Sequence, residues 1–496
     1  MPLKVAIAQA AARSGTGTQD FTDSGAGFSS DVKAAIFIGS NATTADTATG
    51  QGHFRLGFAA ATGGNTQAAF ATISRTSTTT YAATRTVQTA ACYTARSGTT
   101  TQSAVAAIDS WLSSGIRINW TDASEENELV TALLLGGDIE ARVVSGAWAA
   151  ETAKTISHGL SGAPEVIIAI NAIAFGVQCS VGFWATSGTY GYGNLYVEHN
   201  VATTNTFSAA NTDAILAVKT DGAVARTFTI SNVGASTFDC TASSAHTGTL
   251  AFLCLRGTSD AITAKAGAFT TKISSTGTEA EVTGMAVAPQ VLLALPTLLT
   301  SLGALSGDSA YGLIASCNRA GTTQYGGVSL IEDDGITPTT APPYSRVTAD
   351  SALVLMGVDG TEDVVATVDS WDSGGVTLNY SNIGASAFQT PYLAFGIQST
   401  TKYLKILADS SAASATGVEV VAYSAPSESN YVTGTTRYGS TNGQAFEASL
   451  ESGSAVLKVL ASDVGCNSLA AATTVAALAR NTTYTTGMVE ATIIEE

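Results

Sequence analysis

The sequence predicts an all-β protein: three tandem antiparallel β-sandwich repeats of jelly-roll type, followed by a smaller C-terminal β domain. Three observations carry that prediction. Segments within residues 1–400 recur in a fixed order, in units of roughly 120–135 residues, the size of one domain each. Apolar runs of about four to eight residues are bounded by Gly, Ser, Thr and Asn clusters, the pattern of strands and turns. The composition, with 49 Gly, 9 Pro and only 12% charged residues, suits β-structure with tight turns rather than a helical or disordered chain.

The recurrence is clearest between Ala107–Trp120, which carries Asp109-Ser110-Trp111 and Gly115, and Thr367–Tyr380, which carries Asp369-Ser370-Trp371 and Gly375. A weaker middle copy runs from Phe228 to Asn232 and on to Phe238, Asp239 and Cys240. Ala163–Ile170 matches Ala288–Leu295, and Lys33–Ile38 holds the corresponding place in the first unit. Each unit closes on an apolar strand: Leu129–Gly137, Thr249–Gly257 and Pro391–Ile397. Gly146-Ala147-Trp148 and Gly267-Ala268-Phe269 read as equivalent opening strands, and the first unit opens on Val5–Ala8. The division is therefore 1–140, 141–260 and 261–400 for the three sandwiches and 401–496 for the tail domain.

Within the units, Gly115–Trp120 and Val376–Tyr380 alternate apolar and polar residues, so one face of each is buried and one wet. Val166–Ile170 is apolar throughout, as in a strand between two packed layers. The tail offers strands at Gly417–Tyr423, Ala455–Leu460 and Met488–Ile493, and its Ala-rich stretch Ser468–Arg480 is the one place that suggests a short helix. No Pro-rich or charged linker separates the units, which predicts a compact row of sandwiches, each closing its own core.

The net charge of −17 repels phosphate, so neither nucleic acid nor an anionic membrane is expected as a partner. Cys92, Cys179, Cys240, Cys254, Cys317 and Cys466 form no CxxC pair and read as small buried hydrophobes. The start, Met1–Ala8, has neither the apolar core nor the cleavage site of a signal peptide, so secretory export is not expected. Met285–Leu305 is apolar, but Pro289 and Pro296 argue against a membrane-spanning helix.

Chemistry-bearing residues do not converge in the sequence. His53, His158, His199 and His246 fall at unrelated places in the repeats and read as surface or turn histidines. The acidic groups Glu125-Glu126, Glu332-Asp333-Asp334 and Asp359–Asp363 read as solvated turns, with weak calcium binding the alternative at Glu332, Asp333 and Asp334. A glycosidase would need two acids facing each other across a cleft, and nothing singles out such a pair. Trp111 and Trp371 hold one position in two repeats and read as core residues, while Tyr190, Tyr192 and Tyr196 make the best candidate for an exposed ligand-binding patch. No catalytic, cofactor-binding or metal site is assigned, and no cofactor is expected.

The Lys33–Ile38 strand, the following Arg55–Ala59 segment and the closing hairpin with Asp-Ser-Trp, Gly and Asn-Trp resemble tandem repeats of tailed-bacteriophage virion proteins. The Ala-, Thr-, Ser- and Gly-rich, lysine-poor composition is similar to theirs. The resemblance covers residues 1–400; the tail, with Ala445–Glu451, is similar only to a generic phage accessory module. It implies a tail, fibre or appendage subunit of the virion, assembled in the host cytoplasm. Such a subunit acts by symmetric homo-oligomeric contact with other virion proteins, with host-surface attachment as an added duty. A capsid decoration protein and a carbohydrate-binding adhesin that recognises host-surface glycan are the alternatives, and an enzyme is not expected. Met1–Ala12 is either the first strand or an arm that docks on a neighbouring subunit.

Overall fold

The computed structural model describes residues 3–397 apart from 29–31, 76–80, 97–101, 125, 174–176, 200, 221–222, 259, 337–342 and 373, and beyond 401 it describes only the strands. The chain is all-β and divides into two compact units, one of Pro2–Gln398 and one holding Ser399–Glu496.

The first unit contains three successive segments. The first has β1 (Leu3–Ala11), β2 (Gly17–Thr22), β3 (Val32–Gly39), β4 (Ala48–Thr49), β5 (Gly52–Ala60) and β6 (Thr66–Arg75). It continues through β7 (Tyr81–Gln88), β8 (Tyr93–Arg96), β9 (Gln102–Leu112), β10 (Gly115–Asp122) and β11 (Leu129–Gly137). The second has β12 (Ile139–Ser157), β13 (Val166–Ile173), β14 (Val177–Ala185) and β15 (Thr189–Val197). It ends with β16 (Thr206–Asn211), β17 (Leu216–Thr220), β18 (Ala223–Ser231) and β19 (Thr237–Gly257). The third has β20 (Thr263–Thr270), β21 (Gly277–Val282), β22 (Val291–Ala294), β23 (Ser309–Arg319) and β24 (Thr322–Glu332). It closes with β25 (Tyr344–Thr348), β26 (Leu353–Met356), β27 (Glu362–Asp372), β28 (Gly375–Asn382) and β29 (Gln389–Gly396).

The first segment forms a large sheet, β1-β11-β3-β5-β6-β7, and a small one, β2-β10-β9-β8. The third repeats both orders, as β20-β29-β22-β23-β24-β25 and β21-β28-β27-β26. In the second, β12 and β19 are long enough to run through both sheets, which joins them into one: β12 lies beside β19, followed by β13, β14, β15 and β16 on one side and β18 and β17 on the other. The bend falls where the pairing slips between Ala149 and Ala153, at Ala150 with φ 61°.

Register agrees as well as order. Ile7, Leu133, Ile36, Phe58 and Ala68 lie in one row across the first large sheet. Val143, Leu253, Ile168, Phe183 and Gly191 make the same row in the second. Ala266, Leu393, Leu293, Ala315 and Gly326 make it in the third.

Each large sheet has two apolar faces because each covers two cores. One face packs on the segment's own small sheet, around Phe21, Phe37 and Trp120, around Phe228, Phe238 and Phe252, or around Ile314, Leu355 and Leu378. The other faces of all three meet in a shared core that includes Ile36, Phe58, Ile168, Phe183, Leu293 and Leu393. Four positions before Phe58, Phe183 and Ala315 stand Phe54, Cys179 and Tyr311. The Phe54 and Tyr311 rings cross edge to face at 5.4 Å, and Cys179 is in hydrogen-bond contact with Tyr311. Three equivalent positions thus meet at the centre of the unit.

The sequence predicts a row, but a row would leave the first and third segments apart, and here each touches the other two. The reason is the second apolar face of each large sheet, which a row would leave half uncovered. The equivalence of Gly146 with Gly267 also shifts by two residues: Val143 matches Ala266, so Gly146 stands opposite Phe269. A shift of two keeps every side chain on its face, so the sequence pattern does not reveal it. Val166–Ile170 is buried on both faces as expected, and the five described cysteines are buried and free.

The tail unit has strands β30 (Lys402–Asp409), β31 (Gly417–Ser424), β32 (Tyr431–Val432) and β33 (Ala445–Ser449), then β34 (Val456–Ser462), β35 (Gly465–Ala471) and β36 (Gly487–Ile493). They form sheets β32-β31-β30-β36 and β33-β34-β35. Residues 468–471, where a helix begins in the sequence reading, belong to β35; 472–480 lie outside the described residues. Among the described residues no helix is long and apolar enough to cross a membrane.

Candidate functional site

Strand β5 sends Phe54, Leu56 and Phe58 into the shared core, so alternation turns His53 and Arg55 toward the small sheet of the first segment. There Arg55 is fully buried beside Tyr93 of β8 and two acids from the β10–β11 connection. Its guanidinium pairs with Glu126 at 2.6 Å and Glu128 at 2.5 Å, and it donates to the Tyr93 hydroxyl at 3.4 Å. Tyr93 donates to Glu128 at 3.2 Å, and Ser124 donates to the other oxygen of that carboxylate. Gly39 and Gly57 make room: a Cβ on Gly39 would lie 2.5 Å from the Tyr93 hydroxyl, and one on Gly57 1.9 Å from the Cys92 carbonyl oxygen.

The hydrogen bonds fix the tautomer of His53. Arg55 donates to His53 Nδ1 at 3.2 Å, so Nδ1 accepts, and Nε2 carries the proton it gives to Gln51 at 3.0 Å. Burial alone would push the Arg55 guanidinium down, but Glu128, Tyr93 and Glu126 beside it hold it above its ordinary value. Burial, then Glu128, pushes the Tyr93 phenol up, so it stays a neutral donor. With His53 neutral, one cation faces two carboxylates, and the excess charge sits at the half-buried Glu126, the member that reaches solvent.

This cluster has no counterpart in the other segments. The position of Arg55, three before Phe58, is Ser180 in the second and Gly312 in the third; that of His53 is Gln178 and Ala310. A buried ion pair is commonly no more stabilising than apolar packing of equal volume, so a pair in which both members, Arg55 and Glu128, are fully buried at this one of three equivalent positions marks the place as specialised. It is not a hydrolytic triad, because Ser124 donates to Glu128 and not to His53.

The sequence reading of Glu126 as a solvated turn is corrected by these contacts; Glu125 lies outside the described residues. His53, His158 and His246 are buried, not at the surface, and only His199 is exposed. His158 accepts from Leu160 N at 3.2 Å and holds a turn. His246 sits edge to face with Phe228 and Trp148, and burial, then Arg226, pushes its pKa down to about 4. Tyr192 and Tyr196 are buried, and Tyr190 donates to the Ile230 carbonyl oxygen at 2.6 Å, so the three form no exposed patch. Trp111 and Trp371 lie at the margins of their cores, bonded to Asn65, just before β6, and to Thr323, near the start of β24.

Glu332 is buried, and burial pushes its carboxyl up to about 8. Burial, then Asp308 and Asp334, raises Asp333 to about 6. Among the described residues no three His, Cys, Asp or Glu side chains are placed to hold a metal ion. Asp359 and Glu362 are exposed, and Glu362 pairs with Arg346. Sequence reasoning missed Arg55, Tyr93 and Glu128; the available signal was His53 and Arg55 alternating with Phe54, Leu56 and Phe58, which announces a polar inner face. In comparisons with protein-family models, curated proteins and solved structures, no match to this chain was found.

Proposed function

We propose that the chain is a structural subunit of a tailed bacteriophage particle, a tail, fibre or surface appendage component that acts by symmetric assembly. The observation that carries the reading is the closed arrangement of three like sandwiches around one core. A homotrimer offers three equivalent faces about an axis. One copy of this chain offers three similar faces, which suits a place among threefold or sixfold neighbours in a particle.

The sheet edges support the same reading. The outer edge of β25 is covered by β4, that of β16 by Ser306, and Thr84 of β7 accepts from the Gln178 N–H at 3.2 Å. Covered edges do not template stray pairing, which a subunit packed at high local concentration must avoid. Val224, Ile273, Leu305 and Val358, the exposed large hydrophobics among the described residues, are scattered along the chain. Contacts between copies would therefore be polar and shape-driven.

Light scattering of the purified full chain at two concentrations tests this. A defined oligomer of fixed mass is the expected result. A monomer at both concentrations that binds glycans on an array would replace the reading with that of an adhesin.

A further inference from the structure

The three junctions between segments are not alike. The first segment runs into the second through Asp138 alone, and the second into the third through residues 258–262. No such short link joins the third to the first, since the chain leaves β29 for the tail unit. That seam is held by non-covalent contacts alone.

Its contacts differ in kind too. Two ion pairs that join different segments lie on it: Arg319 with Asp23 at 2.7 Å and Arg346 with Asp46 at 3.3 Å. Around them, β4 pairs with β25, Ser345 donates to Asn41 at 2.8 Å, and Gln290 donates to the Leu3 carbonyl oxygen at 2.8 Å. The other two junctions combine neutral hydrogen bonds, such as Val143 to Thr66 and Ala266 to Thr189, with bonds from one charged group to the backbone, Arg142 to the Thr62 carbonyl oxygen and the Thr206 N–H to Asp334.

On the same seam lies Glu332, the last residue of β24. Counting six residues on from Ala68, Gly191 and Gly326 gives Ser74, Val197 and Glu332, so a carboxyl occupies a place that is Ser and Val elsewhere. Glu332 is buried against Ser74, its hydrogen-bond partner from the first segment, and its Oε1 has no partner among the described residues. Gly52 lets it in: a Cβ there would stand 2.5 Å from Oε1. The groups facing it are Ser74 of β6, Gly52 of β5 and Pro343; His53 and Arg55 of β5 are on the opposite face. Asp308, Asp333 and Asp334 cluster with one another past the end of β24, and among the described residues no cation pairs with Glu332.

We propose that the seam between the third and first segments is a gate, through which the closed arrangement opens when Glu332 gives up its proton, while the other two junctions stay shut. In the closed state the carboxyl is neutral, because burial takes it out of bulk solvent and none of the described residues offers an anion there a counter-ion. Opening hydrates it, and the proton leaves to solvent. Its ordinary value is 4.5 and its value in the closed seam about 8, so opening becomes easier as pH rises from 4.5 to 8 and levels off above.

Hydrogen exchange of the full chain, corrected for intrinsic rates, tests the gate. Between pH 6 and 8, protection of β4 and β25 falls by up to roughly a hundredfold, as release of one proton requires, while β16 and β14 keep theirs. Glu332→Gln removes that pH response. A disulfide across Asn41→Cys and Ser345→Cys also removes it, and reduction restores it. An equal loss at all three junctions, or the same pH response in Glu332→Gln, overturns the proposal.

Discussion

The backbone N–H of Ile7 donates to Oε1 of Gln324 at 2.8 Å, from the edge strand of the first segment to the third. The same bond recurs twice: Val143 donates to Thr66 Oγ1 at 3.0 Å, and Ala266 to Thr189 Oγ1 at 3.2 Å. Each donor opens the five-residue row of its own sheet, and each acceptor stands two residues before the end of the neighbour's row. First is sealed by third, second by first and third by second, a cyclic order that a row cannot have.

Gln324→Ala removes the acceptor of Ile7 and, with it, a 3.0 Å bond to Asp23. We expect a loss of about 1–3 kcal/mol in denaturant unfolding, since a partly buried N–H is left unmet. Thr189→Val removes the equivalent bond from Ala266 and an exposed one to Ser187, and costs less because the second involves no charge.

Gly326→Ala places a methyl 2.5 Å from Thr131 Cγ2 and 2.9 Å from Ile7 Cγ2 across the same seam. Overpacking of this kind costs about 1–3 kcal/mol. Gly27→Ala in the first segment meets nothing within 4 Å and tests the left-handed backbone alone, at φ 62°; about 1 kcal/mol is expected there.

Arg55→Met leaves Glu128 buried without its cation and costs about 3–5 kcal/mol. Adding Glu128→Gln, whose amide oxygen still accepts from Tyr93 while its NH2 group turns a donor toward the Ser124 hydroxyl, returns stability to within about 1 kcal/mol of the starting protein. Thermal unfolding of the two variants measures both.

His246 has an ordinary value of 6.5 and titrates near about 4 in the folded chain. As pH falls through 6.5 the unfolded chain takes up the proton first, so the stability tied to neutral His246 is complete above 6.5 and is lost as pH approaches 4. Between pH 7 and 4.5 the loss is about 1–3 kcal/mol. His246→Gln flattens that part of the pH profile, read as Tm against pH.

The strands and their burial were legible in the sequence wherever apolar runs recurred, as at Lys33–Ile38, Val166–Ile170 and Val291–Leu295. What covers the second face was not legible. Ile168 and Ile167 are equally apolar, yet one enters the shared core and the other the core of its own sandwich. Periodicity reports that a face is dry, not which partner dries it. The candidate site was hidden for a related reason: Arg55, Tyr93 and Glu128 come from three separate strands or connections, and their pairing depends on sheet order. Glu332 was read as a turn acid because two more acids follow it, whereas the strand ends on Glu332 and the turn begins after.

The most direct test of the closed arrangement is hydrogen exchange resolved to the single amides of Ile7, Val143 and Ala266. All three lie on edge strands whose outward N–H groups would exchange freely in separate sandwiches. The account predicts that all three are as protected as the paired interior strands, and that Gln324→Ala exposes Ile7 alone. Fast exchange at all three in the unaltered protein would contradict it.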